Sequence, residues 1–191
     1  NDAVFLNYNN ITKFATTSTG IDVTGTVVSD GMSTNTSGTS NFIAGVNAGN
    51  SIASGGNYNT VIGDEAGTAI TTGDGNSLVG KDAGRLITTG QYNTTVGFDS
   101  LENTTTANDN TAMGYYSLQA NTTGASNAAF GRQSLASNTT ASNNTAVGYF
   151  SLAANTTGTS NVAVGMNTLD ANTTGSTNTG LGQGSLSSNT T

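Results

Sequence analysis

The chain has 191 residues, a formal net charge of −7, and no Cys, His, Pro or Trp. These absences exclude disulfide frameworks and thiol chemistry and remove the commonest general base and metal ligand. Four basic residues among 191 disfavour a nucleic-acid partner, whose phosphates need Lys and Arg.

Val, Leu, Ile and Phe make up about 18% of the chain, a fraction shared with disordered proteins. Two features favour order. Charged residues are only 8% of the total, so self-repulsion does not drive the chain open, and the sparse apolar residues recur at fixed places. No apolar run approaches the roughly 20 residues of a membrane-spanning helix, so no membrane insertion is expected. The sequence starts at Asn1 and stops within a repeat at Thr191, so a longer parent protein is expected.

In chain order, residues 1–34 form a first segment outside the repeat. Residues 3–6 and 21–28 are rich in β-branched and aromatic side chains, and TSTG and SDG supply turn chemistry, so short strands are expected. From 35 to 191 the chain is a repeat array. Its opening, NTSGTSN at 35–41, matches NTTGTSN at 155–161 in all but one position, so a half-coil is expected before the first full unit.

The full unit opens on Asn41, Asn59, Asn76, Asn93, Asn110, Asn127, Asn144, Asn161 and Asn178, with one step of 18 residues and seven of 17. A glycine follows each of these asparagines by four residues, from Gly45 to Gly182. Counting the Asn as position one, the third and fourth positions are usually apolar, as in Val61-Ile62 and Ala146-Val147. Neighbouring strand residues point to opposite faces, so both faces call for cover.

Position nine is Gly at Gly49, Gly67 and Gly84 and Leu from Leu101 to Leu186. Position twelve changes from Ile52, Ile70 and Ile87, through Thr104, to Asn121 and its successors. The apolar plug therefore moves between positions, and two sub-families of coil meet near Asn93. The Asn-Thr-Thr-Gly stretch after position eleven reads as a corner, because Asn and Gly accept left-handed backbone angles.

Paired-helix repeats need about 33 to 47 residues, and Thr, Asn and Gly are poor helix formers. The expected fold is all-β, a repetitive parallel β-roll or β-solenoid with one coil per 17-residue repeat and a stacking distance of about 4.8 Å. A perimeter of at most about 56 Å suits a narrow roll of two short strands and two turns. Such small repeats gain stability by stacking. Three chains around a common axis would cover both strand faces, and a dimer would also bring chains together.

Stacking turns each repeat position into a column. The opening asparagines are expected to form a hydrogen-bonded amide ladder. Sequons such as Asn121-Thr122-Thr123 and Asn155-Thr156-Thr157 are explained by corners better than by glycosylation. Positions six and seven carry Phe98, then Tyr115 and Tyr116, then Arg132, then Tyr149 and Phe150. Arg132 should lie between Tyr115 and Tyr149 within cation–π reach. Rings beside polar groups suit saccharide recognition, and these six are the candidate receptor-binding residues; packing between subunits uses the same residue types.

Glu65, Asp82 and Asp99 share position seven, with Lys81 and Arg85 nearby for relief and Glu102 in the same column as Arg85. Solvated charges are the expected state, and Ca²⁺ is the sharper alternative. No metal site, cofactor or catalytic residue is expected, because the acids are dispersed and His is absent. Ice binding would need two Thr per coil on one face, whereas adjacent corner threonines point two ways.

NTAVG followed after two residues by Ser-Leu, the corner NTTG, and the upstream TSTGIDVTGTVVSDG resemble the repeats of bacteriophage tail-fibre proteins and related bacterial surface fibres. The strand core at 144–148 is also similar to the β-roll head of trimeric autotransporter adhesins. The resemblance implies a homotrimeric, extracellular fibre segment, on a virion or a bacterial surface, that carries or displays a surface for a cell-surface glycan or protein receptor. The alternative it leaves is a tail-spike-like protein that binds or cleaves glycans.

Overall fold

The computed structural model describes residues 36–191 in full and, of the first 35, the backbone of three strands, β1 (Phe5–Tyr8), β2 (Ile11–Thr17) and β3 (Gly20–Val23). Two compact units divide at Met32/Ser33. In the first, β1, β2 and β3 form an antiparallel sheet in that order, with a bulge between Leu6 and Asn7. The strands expected at 3–6 and 21–28 coincide with β1 and β3 in part, and the rest of those stretches, with Asn35, lies outside the described residues. Ile11–Thr17, the longest of the three, is a strand that the turn signals did not single out.

The second unit is a parallel β-solenoid. Its strands are β4 (Phe42–Ala44), β5 (Thr60–Ile62), β6 (Ser77–Val79), β7 (Thr94–Val96), β8 (Thr111–Met113), β9 (Ala128–Phe130), β10 (Thr145–Val147), β11 (Val162–Val164) and β12 (Thr179–Leu181). They pair in sequence order in one nine-stranded sheet, and the register repeats the 17-residue period, as in Ala129↔Ala146 and Ala146↔Ala163. No helix occurs among the described residues.

Each coil holds one strand of three residues instead of the expected two. Beyond the strand comes glycine at φ between 99° and 146°, then left-handed residues at positions seven and nine, such as Tyr116 and Leu118 at 60° and 51°. A chain bent three times in five residues cannot stay extended. It keeps its coil-to-coil bonding nonetheless, because alternate residues round the turn still exchange backbone hydrogen bonds. In the coil from Asn110, Thr111 N–H donates to Asn127 O (2.8 Å), Gly114 to Val96 O (2.9 Å), Tyr116 to Phe98 O (3.1 Å), Leu118 to Ser134 O (3.0 Å) and Thr122 to Thr139 O (2.8 Å). Backbone bonding thus supplies order where apolar area is scarce.

The interior is thin and filled by columns. Val61, Leu78, Ala112, Ala129, Ala146 and Ala163 at position three are fully buried, as are Ile70, Ile87 and Leu101, Leu118, Leu135, Leu152 and Leu169. The two sub-families solve one volume problem in two ways. A Cβ on Gly67 would lie 2.8 Å from Ile70 Cδ1 and 2.9 Å from Leu78 Cδ1, so Leu at position nine requires smaller residues at positions three and twelve. From Ala112 and Asn121 onward it has them. A left-handed leucine costs about 1–2 kcal/mol, and burying the side chain offsets that by about 1.5–3 kcal/mol.

The opening asparagines form the expected ladder. Asn127 Oδ1 accepts from the backbone N–H of Asn144 (3.0 Å), Asn144 Oδ1 accepts from Asn161 N–H (2.9 Å) and Nδ2 (3.1 Å), and Asn144 Nδ2 donates to Gly158 O (2.9 Å). A second ladder runs through the corner, where Thr122-Thr123 and Thr156-Thr157 bend as expected but the flanking Asn and Gly do not take left-handed angles. Asn138, Asn155 and Asn172 donate through Nδ2 to Oδ1 of Asn121, Asn138 and Asn155 at 2.9, 3.1 and 3.1 Å. Asn155 Nδ2 also reaches Gly158 O at 2.9 Å, so that one carbonyl serves both ladders. Asn121 and Asn155 are fully buried, which leaves these sequons inside the coil stack and not at its surface.

Thr36–Ser40 follows the path of positions thirteen to seventeen, as the half-coil reading expects. Ser40 is left-handed at φ 57° like Ser160 at 59°, and Tyr58 N–H donates to Thr39 O at 3.0 Å.

Candidate functional site

Only the inner face of the strand is covered by the chain itself. The outer residues Val96, Met113, Phe130, Val147 and Val164 are exposed in a row, each at 37–43%. This apolar ridge follows the sheet, and the glycine bend separates it from a second strip, exposed at position six and half-buried at position seven.

That second strip holds the six candidate residues. Position six follows the bend directly, and the left-handed turn at position seven brings its side chain beside its neighbour's. Tyr115 and Tyr116 stack with ring centroids 4.0 Å apart, Phe98 stacks on Tyr115 at 5.6 Å and 21°, and Tyr149 tilts against Phe150 at 4.4 Å. Arg132 stands where the column reading puts it. Its guanidinium carbon lies 5.6 Å from the Tyr115 ring, 5.4 Å from Tyr149 and 5.9 Å from Phe150, and Nη1 donates to Tyr149 Oη at 3.0 Å. All six residues therefore meet in one strip across four coils.

The acidic column occupies the coils from Asn59 to Asn93 and runs into the strip, since Asp99 neighbours Phe98 and interacts with Tyr116. Lys81 pairs with Asp82 and lies 3.9 Å from Asp64, Arg85 Nη2 pairs with Glu102 Oε1 at 2.6 Å, and Arg85 Nε lies 3.4 Å from Asp82. Hydrogen bonding to Asp82 raises the Lys81 pKa, and hydrogen bonding to Glu102 raises that of Arg85. Glu65 accepts from Asn47 Nδ2 at 2.7 Å. Burial, then the charges of Glu102 and Asp82, push the Asp99 carboxyl up. Tyr116 is pushed up to about 12, first by hydrogen bonding with Tyr115, then by burial and the charges of Tyr115 and Asp99. Among the described residues no three Asp, Glu, His or Cys side chains group closely enough to hold a metal ion.

Sequence reasoning missed the serines of position eight. Ser117 and Ser134 are buried and bond through Oγ to Gly114 O and Gly131 O at 2.9 Å, pinning the bend that presents the strip. Ala48, Ala66 and Ala83 in the same column were the signal, since a column restricted to small residues points inward. No protein-family model, curated protein or solved structure matches the chain.

Proposed function

We propose that this chain is a structural and adhesive segment of an elongated, homotrimeric extracellular fibre, on a virion tail or a bacterial surface, with a non-catalytic role in attachment. The observation that carries the reading is the apolar ridge Val96, Met113, Phe130, Val147 and Val164, exposed along one face of a single chain. A continuous apolar row of this kind marks an interaction surface. Its regular spacing suits a partner with the same spacing, which a second and third copy of the chain provide. With three ridges turned toward a common axis, the aromatic strip beyond the glycine bend stays outside for a glycan or protein receptor. The resemblance to phage and bacterial fibre repeats supports the same assembly. Sedimentation equilibrium tests it: the expected mass is that of three chains, falling to one in Val147→Glu/Val164→Glu, whereas a wild-type mass of one chain overturns the reading.

A further inference from the structure

We infer that the strip centred on Arg132 takes a carboxylate-bearing sugar, such as a uronic or sialic acid residue of a surface polysaccharide. The inference rests on the reading of the strip as outward-facing and goes on to name the chemistry of its ligand.

Arg132 differs from Lys81 and Arg85. Those two are paired with carboxylates, whereas Arg132, alone among the cations of the described residues, has none within ion-pairing distance. A guanidinium has five N–H donors, and one hydrogen bond from the Arg132 side chain, to Tyr149 Oη, is made within the protein. The remaining donors belong to an exposed residue held between two tyrosines. The rings and the Tyr149 hydrogen bond restrict the guanidinium, which removes part of the ordering that binding would otherwise require.

The surroundings select the ligand. The chain is acidic overall, but in residues 110–191 the only charged side chains are Arg132 and Asp170. The nearest acids of the earlier coils, Asp99 and Glu102, stand two coils from Arg132, roughly 10 Å and so about one Debye length away. A planar guanidinium matches a carboxylate through two parallel hydrogen bonds. Tyr115 and Tyr149, 41% and 42% exposed, sit one coil to either side. Tyr149, and the part of Tyr115 left uncovered by Phe98, Tyr116 and Arg132, offer ring surface to the C–H faces of sugar units that flank the carboxylate, while the Gln133 amide and the remaining donor and acceptor sites of the two hydroxyls meet sugar hydroxyls. A neutral glycan would leave the cation unused.

The test is calorimetric titration of the native particle with trigalacturonate, 3′-sialyllactose and a hyaluronan tetrasaccharide. Each is run beside its uncharged twin, the methyl ester of its carboxyl groups. The expected result is binding of at least one acidic probe, weakened at least tenfold in its twin and in Arg132→Gln, and weakened less in Arg132→Lys. Particle mass should be unchanged in both variants, and melting temperature should fall by no more than a few degrees, the loss of the ring contacts and of one hydrogen bond. Binding of no acidic probe, equal binding of a twin, or equal binding by Arg132→Gln overturns the inference. The mass measured on the same sample judges the fibre reading separately.

Discussion

The glycine of position five carries the sharpest energetic prediction. Gly148 has φ 133°, and a Cβ built on it would stand 2.5 Å from Gly165 O and 2.7 Å from Gly165 C in the next coil. The backbone cannot retreat freely, because Gly148 N–H donates to Phe130 O at 2.7 Å in the coil before. Gly148→Ala therefore meets both a disfavoured dihedral, about 1–3 kcal/mol, and overpacking against backbone, about 1–3 kcal/mol. Together these are about 2–6 kcal/mol, or a fall in Tm of the order of 10 °C for a chain of this size. Gly55→Ala separates the two contributions. Gly55 has φ 108°, but its nearest neighbour would be Thr72 Cγ2 at an ordinary 3.6 Å, so only the dihedral strain remains. Thermal unfolding followed by circular dichroism should show a clearly larger loss for Gly148→Ala. Equal losses would refute close stacking of the coils at the glycine column.

Asn144→Asp replaces the Nδ2 donor to Gly158 O with an oxygen in a fully buried ladder. Burial should raise the new carboxyl's pKa in the folded state, so the variant should be least stable above that value and recover as pH falls toward about 4, read as Tm against pH. Gly67→Leu should cost about 1–3 kcal/mol by overpacking, and Leu78→Ala in the same chain should recover part of it, as a double-mutant cycle in denaturant would report. Tyr116 holds its proton more tightly folded than unfolded, with a pKa of about 12 against an ordinary value near 10. Its contribution is thus complete below pH 10 and lost as pH rises through 12. The Tm difference between wild type and Tyr116→Phe should shrink over that window, and a constant difference would contradict the assignment.

How far the fold could be read in advance depended on what each column requires. The Asn ladder, the glycine bend and the placement of Arg132 between tyrosines follow from the period alone, since stacking aligns equal positions. The number of strands per coil does not. Residues such as Leu118 and Phe150 occupy left-handed angles, at 51° and 56°, which propensity assigns to Gly and Asn. The exchange of Gly84 for Leu101 in one column was the available sign that position nine keeps its backbone angle whichever residue fills it. The stretches that open on Asn121 and its successors do bend, at Thr122-Thr123 and its equivalents, as their turn residues suggest; that the Asn side chain points inward was signalled by its replacement of Ile87 in the column. The serines that pin the bend left only the smallness of their column as a trace.

The central claim is that the ridge faces other copies of the chain and the aromatic strip faces outward. The chain has no cysteine, so single probes at Val147→Cys and Tyr149→Cys can be compared by their rate of thiol labelling in the native particle. In one chain the two sites are alike, 37% and 42% exposed. The account predicts rapid labelling of Tyr149→Cys and strong protection of Val147→Cys, and equal rates at the two sites would contradict it.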